Sequence, residues 1–277
     1  MRPTNSALAV LAQIALSIGV GRPAWADQPH PWGIWLQEAQ SPTMHQITDL
    51  NAIITALILG VLVMVFALLI YVIVRFRAER NPVPATWTHN TPLEVAWTII
   101  PALILAAIAF PSFRLLYAMD RATQADITLK VTGHQWYWSY SYPDVRVDFD
   151  SSMVQDNELK PGEPRLLATD RHVVLPVGAV VRIITTSDDV IHSWSVPSLG
   201  VKIDAIPGRL NETWVKVEKP GLYYGQCSQL CGINHGFMPI AIEAVPPERF
   251  TAWLAEEQAA AKSSSAAPPP TLAEAAR

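Results

Sequence analysis

The sequence predicts a two-helix transmembrane hairpin followed by an all-β sandwich or barrel domain on the exported side of a membrane. Two long uncharged stretches, a series of short β-type runs between turn signals, and a leader-like N-terminus carry that prediction. Of the 277 residues, 50% are hydrophobic and only 16% charged, against about 25% charged in an ordinary globular domain. Disordered and collagen-like chains are excluded. The 20 Lys plus Arg stand against 24 Asp plus Glu, so there is no basic excess to follow a phosphate backbone and no nucleic-acid partner is expected. A charged partner should be basic.

Arg2, the apolar run Ala7 to Val20 and Ala24-Trp25-Ala26 before Asp27 form an export signal, so residues 1–26 are excluded from the fold as a cleaved segment. Loss of Arg2 and Arg22 takes the formal charge from -4 to -6. Residues 27–46 then lead into a hairpin over 47–119, with helices expected at about 48–75 and 92–117. Ala52 to Val74 is a run of 23 uncharged residues, roughly 34 Å of helix at about 1.5 Å per residue. Val95 to Phe113 adds 19 more between Glu94 and Arg114. Pro101 is expected to kink this second helix and to favour packing against a neighbour. The connecting loop carries Arg75, Arg77 and Arg80 against Glu79, which places it in the cytoplasm and both mature termini outside.

From residue 120 to 246 the pattern becomes β-type: Ile127 to Val131, Trp136 to Tyr142, His172 to Leu175, Val180 to Thr186, Ile191 to Val196, Thr213 to Val217 and Phe237 to Val245. Pro161-Gly162, Pro176-Val177-Gly178, Pro207-Gly208 and Pro220-Gly221 supply turns between them. Many short strands at this spacing mean a sandwich or barrel. Residues 247–277 read as a short helix with Phe250, Trp253 and Leu254 on one face, followed by a disordered Ala/Ser/Pro tail from Ala259.

The densest chemistry lies at Cys227, Cys231, His235 and Met238, spaced C-x3-C-x3-H-x2-M, with a second imidazole upstream at His192. A thiol pair in an exported domain reads equally as a disulfide, and Cys2His2 also suits structural zinc. Two thiols, two imidazoles and a thioether together form a soft donor set, which favours copper over magnesium or calcium.

With those residues in view, the chain closely resembles subunit II of the haem-copper cytochrome c oxidases, of the bacterial type. The resemblance runs from the hairpin through Gly133-His134-Gln135-Trp136-Tyr137-Trp138, His192-Ser193-Trp194, Ala205-Ile206-Pro207-Gly208-Arg209 and the cysteine loop. It implies a cupredoxin-like Greek-key domain holding a dinuclear copper A centre. Cys227 and Cys231 would bridge two copper ions, His192 and His235 would each bind one, and Met238 and the backbone carbonyl of Gln229 would complete the set. The resemblance further implies residence in a bacterial inner membrane with the copper domain periplasmic. Cytochrome c would be the donor, and subunit I, with subunit III, the partners. Oxygen would be reduced to water, coupled to proton pumping, in subunit I. Gln229 departs from the family's usual Glu. An amide is a weaker ligand for a hard cation, so an interface magnesium or manganese is doubtful.

The resemblance assigns electron entry to Trp136. The residues alone read Trp136, Trp138, Tyr140 and Tyr142 as one face of a strand, either an aromatic core or an interfacial belt. Asp144, Asp148, Asp150, Asp156 and Glu158, opposed by Arg146, with Asp188 and Asp189 as an extension, form a solvated face or a docking field for a basic carrier. Glu94 completes an expected capping box, Thr91-Pro92-Leu93-Glu94. By resemblance it also stands at the entrance of a proton pathway. No C-x-x-C-H sequence is present, so the chain attaches no c-type haem of its own. A quinol oxidase subunit of the same fold is disfavoured because that branch generally lacks the copper ligands. A membrane-anchored copper-delivery protein is the alternative from another class, opposed by the hairpin and its Pro101.

Overall fold

The computed structural model describes residues 28–120 and 124–266; the predicted signal segment 1–26 and the chain beyond 266 lie outside the described residues. The first helix, α1 (Pro42–Arg75), starts where Ser41 Oγ accepts the Met44 N–H at 3.0 Å and Pro42 fills the opening turn. The expected start near 48 is thus corrected, because the Ser-Pro pair marks the helix end well before the apolar run begins. The second helix, α2, spans Thr91–Asp120 rather than 92–117 and remains helical through Pro101 and Pro111.

The cap of α2 also differs from expectation. Asn90, not Thr91, stands outside the helix: its Oδ1 accepts the Leu93 N–H at 3.2 Å, and Glu94 Oε1 accepts the Asn90 N–H at 3.2 Å. The reciprocal logic of the capping box holds, moved back by one residue. Both helices are long and apolar enough to cross a membrane, and their apolar side chains stay exposed within the chain. Such a surface suits lipid or partner helices rather than water.

Among the described residues, ten strands follow in two five-stranded sheets. One contains β1 (Ile127–His134), β2 (Tyr137–Tyr142), β3 (Val147–Ser151), β5 (Val181–Ser187) and β8 (Asn211–Val215), in the order β3-β2-β1-β5-β8. The other contains β4 (Val173–Pro176), β6 (His192–Val196), β7 (Val201–Ala205), β9 (Gly221–Cys227) and β10 (Pro239–Val245), in the order β4-β10-β9-β6-β7. The β1–β5 and β4–β10 pairs are parallel and the others antiparallel, so crossovers between the sheets close a sandwich. Period-two patterning turns Leu129, Val131, Ile183, Trp138, Tyr140 and Tyr142 into its centre, all at most 1% exposed.

Three of these strands are absent from the sequence-based expectation: β3, β7 and β9. In β3 the outward Asp148 and Asp150 alternate with inward Val147 and Phe149 and read as an acidic run, and β7 interleaves Lys202 and Asp204 in the same manner. β9 runs straight into the cysteine motif, whose chemistry hides its strand pattern. Trp136 is corrected as well. It precedes β2, half-buried, while Trp138, Tyr140 and Tyr142 are the core face. Phe237 lies in a short helical turn, His235–Phe237, before β10.

The hairpin is pinned to the sandwich at both ends. Trp214 Nε1 donates to the Ala118 carbonyl at 2.9 Å and Thr213 Oγ1 to that of Met119 at 3.2 Å, satisfying acceptors left open at the end of α2. Ser41 Oγ donates to Leu199 O at 2.7 Å, and the backbone of Gln40 bridges Ser198 and Glu218. Gly200 sits at φ 68, where an added Cβ would lie 3.1 Å from the Met44 nitrogen. Only glycine permits that approach. The last helix, α3 (Pro247–Ala266), lays Trp253 against Tyr142 at 5.4 Å and extends through Ala266, into the stretch expected to be disordered.

Strand β3 supplies a direct check of this packing. Phe149→Ala should cost about 3–5 kcal/mol, because its ring meets Tyr140, Tyr142, Trp253 and the Arg171 guanidinium. Its exposed neighbour, Asp148→Ala, should stay within about 0.5 kcal/mol, both measured by denaturant unfolding.

Candidate metal centre

Antiparallel pairing of β6 and β9 sets Trp194 opposite Cys227, and the Ser228 N–H continues the ladder to Ser193 O at 2.9 Å. His192, at the start of β6, and Cys227, at the end of β9, therefore arrive at the same edge of the sandwich. The loop 228–238 then folds back, and the Cys227 N–H donates to Met238 O at 3.0 Å. This turn returns Cys231 and His235 to the first thiol.

The donor atoms converge. Cys227 Sγ lies 3.9 Å from Cys231 Sγ, 3.9 Å from His192 Nδ1 and 3.4 Å from the Gln229 carbonyl oxygen, and Cys231 Sγ lies 3.5 Å from His235 Nδ1. Both cysteines are free, well beyond the roughly 2.05 Å of a disulfide bond. The metal-capable atoms of His192, Cys227 and Cys231 all fall within 4.8 Å of one another. His192 is 0% exposed, Cys231 3%, Cys227 5% and Met238 1%. Thiols and imidazoles, with no carboxylate among these contacts, fit a soft metal such as copper better than a hard cation.

The other candidate residues divide. Trp136 joins the centre from the opposite sheet, with its Nε1 donating to Cys231 O at 3.3 Å, and Gln135 Nε2 reaches the same oxygen at 2.7 Å. Glu94 does not join it, lying in the first turn of α2, whose last turn meets the sandwich. The acidic surface is less free than its sequence suggests, since Asp156 pairs with Arg165 at 2.9 Å and Asp144 accepts the Thr128 N–H at 2.8 Å.

Two contributors escape a reading of the sequence alone. Gln135 lies within the Gly133–Trp138 block, but the block assigns it no role, which depends on a loop meeting the cysteine turn across the two sheets. Gly133 is the other: a Cβ there would stand 2.8 Å from His192 Cδ2, so the imidazole occupies the space a side chain would fill.

Burial pushes the Cys227 thiol up, but hydrogen bonding from His192, the Gln229 and Ser193 backbone and His235 outweighs it and brings the thiol down to about 6. Burial and the neighbouring Cys227 thiolate push Cys231 up to about 12. Burial lowers His192, yet its contacts with Cys227 and Asp189 leave it raised overall. In the metal-free chain one thiolate is therefore ready at neutral pH, while the second is deprotonated at the expense of a bound cation.

A β-sandwich that gathers two thiols and two imidazoles at one edge, held to a membrane by a two-helix hairpin, is a membrane-anchored domain able to hold a thiolate-bound metal. Residues 127–245 match the family model of the cytochrome c oxidase subunit II periplasmic domain, and residues 29–115 match that of its transmembrane domain. The chain belongs to the cytochrome c oxidase subunit II family, so it is a subunit of that haem-copper oxidase and its β-domain is cupredoxin-like. A probable cytochrome c oxidase subunit 2 from Rickettsia bellii (strain RML369-C) is 50% identical over 234 residues, covering 84% of this chain and 87% of the relative. Cytochrome c oxidase subunit 2 from Mycosarcoma maydis is 46% identical over 243 residues, covering 85% and 95%. Among solved structures, the periplasmic domain of subunit II of cytochrome oxidase from Bradyrhizobium japonicum is 52% identical, covering 50% of this chain and 97% of that one, with a TM-score of 0.47.

Thiolate absorbance in the ultraviolet checks the electrostatics of the metal-free chain. One cysteine should ionise near pH 6 and the other only far above neutrality. Because the Cys227 value is depressed by folding, its share of stability is present above the ordinary thiol pKa and lost as pH falls through about 6. Two overlapping titrations near the ordinary thiol value would contradict this asymmetry.

Proposed function

We propose that this subunit takes electrons from cytochrome c at a dinuclear copper A centre and passes them to subunit I. There oxygen is reduced to water, coupled to proton pumping. The observation that carries the reading is the convergence of His192, Cys227, Cys231, His235 and the Gln229 carbonyl in contacts of 3.4–3.9 Å, with His192 and both thiols buried and His235 and Gln229 on the solvent side. Cys227, Cys231, His192 and His235, with Met238 and the Gln229 carbonyl, are the residues that would hold the two copper ions. Two bound coppers supply one-electron acceptance and donation with no bond made or broken.

The chain's own residues prepare that site. Burial excludes water from the thiols, and the strand ends hold Cys227 and His192 while the folded-back loop 228–238 holds Cys231 before any metal arrives, which limits rearrangement on loading. Trp136 is the proposed entry point. Its indole is partly exposed and one hydrogen bond from the backbone of Cys231. Asp148 and Asp150 stand outward on β3 and belong to the negative field proposed to steer a basic donor. Subunits I and III are the proposed neighbours of the exposed α1 and α2 faces. Glu94, which caps α2, is proposed as the entrance of a proton pathway into subunit I. Gln229 exposes a neutral amide, so an interface magnesium or manganese forms no part of the reading. The arginine-bearing loop supports a bacterial inner-membrane topology with both mature termini and the copper domain in the periplasm.

Trp136→Gln in the assembled oxidase tests the entry route. Copper content should match wild type while electron transfer from cytochrome c slows by at least about tenfold, or about 1.4 kcal/mol in barrier. Wild-type transfer rates at full copper content would remove Trp136 from the path.

A further inference from the structure

We propose that Asp189 is the positioning residue of the metal centre: its carboxylate holds the His192 ring with Nδ1 toward the thiols and ties that ring to the loop carrying Trp136. The inference rests on the copper reading above. Asp189 Oδ1 lies 2.8 Å from His192 Nε2 and accepts the Val190 N–H at 2.6 Å, while Oδ2 accepts the Gln135 N–H at 2.7 Å. Ser187 Oγ lies 3.2 Å from the same Oδ1. The carboxylate is thus fixed by its own backbone and by β1–β2 loop backbone, and it presents one oxygen to the imidazole.

The consequence follows from donor and acceptor chemistry. An ionised carboxylate only accepts hydrogen bonds, so the ring nitrogen facing it carries the proton. In a neutral imidazole the lone pair then belongs to Nδ1, the atom facing Cys227 Sγ at 3.9 Å. Asp189 therefore selects the tautomer that binds metal, and its negative charge makes Nδ1 a stronger donor. The ring itself is 0% exposed, so water does not replace this partner.

Asp189 also joins the two halves of the site. The Gln135 whose N–H it holds donates through Nε2 to Cys231 O at 2.7 Å, and the next residue, Trp136, reaches the same carbonyl at 3.3 Å. One carboxylate thus links His192, on one sheet, to the loop that touches Cys231 from the other. Its neighbour behaves differently. Asp188 has a side chain 67% exposed and reaches His134 Nδ1 only at 3.8 Å, as a surface charge would. Nor is the arrangement shared by His235, which among the described residues contacts the Cys231 thiol and pairs with no carboxylate.

The test uses the full chain in the assembled oxidase, comparing Asp189→Ala, Asp189→Asn and Asp188→Asn. Asp189→Ala should weaken copper affinity by about 10–100-fold and raise the reduction potential of the centre, because an anion favouring the oxidised form is gone. Asp189→Asn keeps an acceptor and should fall between Ala and wild type, whereas Asp188→Asn should match wild type in both. A second readout needs no copper. In the metal-free full chain with the imidazole neutral, nitrogen NMR of labelled histidine should show His192 protonated mainly at Nε2, whose contact with Asp189 at 2.8 Å is shorter than that of Nδ1 with Cys227 at 3.9 Å, and Asp189→Ala should shift the balance toward Nδ1. Wild-type affinity, potential and tautomer in Asp189→Ala would overturn the proposal. If the wild-type chain takes up no copper, the copper reading falls, and the tautomer result alone decides the positioning role.

Discussion

The register between β6 and β9 is the constraint on which the site depends. Trp194 opposite Cys227 places His192 beside the first thiol, and the same pairing turns Trp194 into the core with 0% exposure. A slip of one residue would send both side chains to the opposite face. The buried Trp194, whose Nε1 donates to Tyr140 OH at 3.2 Å, therefore protects metal geometry as well as stability. The hydrophobic core and the soft donors form one packed body, with Cys227, Cys231 and Met238 among the core residues themselves.

That union suits the proposed electron relay, which needs no moving parts. Bulky aromatics and paired strands hold the ligands, so a change of charge at the centre meets little freedom for rearrangement. The membrane hairpin extends the same logic outward. Its ends are bonded to β8 and to the turn Pro197–Leu199, which follows β6. The edge that carries the thiols and imidazoles and the membrane anchor are thereby connected through a single strand, and the domain is held in a defined relation to a partner in the bilayer.

The sequence revealed most where its signals were local. Uncharged runs marked both helices, period-two patterning marked β1, β2 and β5, and the C-x3-C-x3-H-x2-M spacing marked the donors of one loop. Charged strands were harder: β3 and β7 each bury one face yet show carboxylates on the other, and alternation over only five residues resembles a solvated loop. Helix ends followed capping residues rather than hydropathy, which is why Ser41 and Asn90 moved both starts. Long-range relations were the least legible. That Gln135 touches Cys231 and that Gly133 leaves room for His192 depend on which strands become neighbours, and no local pattern states it. Asp188 and Asp189 illustrate the limit: adjacent, chemically identical and similar in sequence terms, they occupy different environments because only one faces a buried imidazole.

Whether Cys227 and Cys231 help to hold a pair of copper ions is decided by the copper content and paramagnetic resonance spectrum of the purified full-length subunit in its oxidase. Two coppers at this site, with one unpaired electron shared over both nuclei in the oxidised form, are the predicted result. A single copper with the spectrum of an isolated ion, zinc in its place, or a Cys227–Cys231 disulfide in the active complex would contradict it.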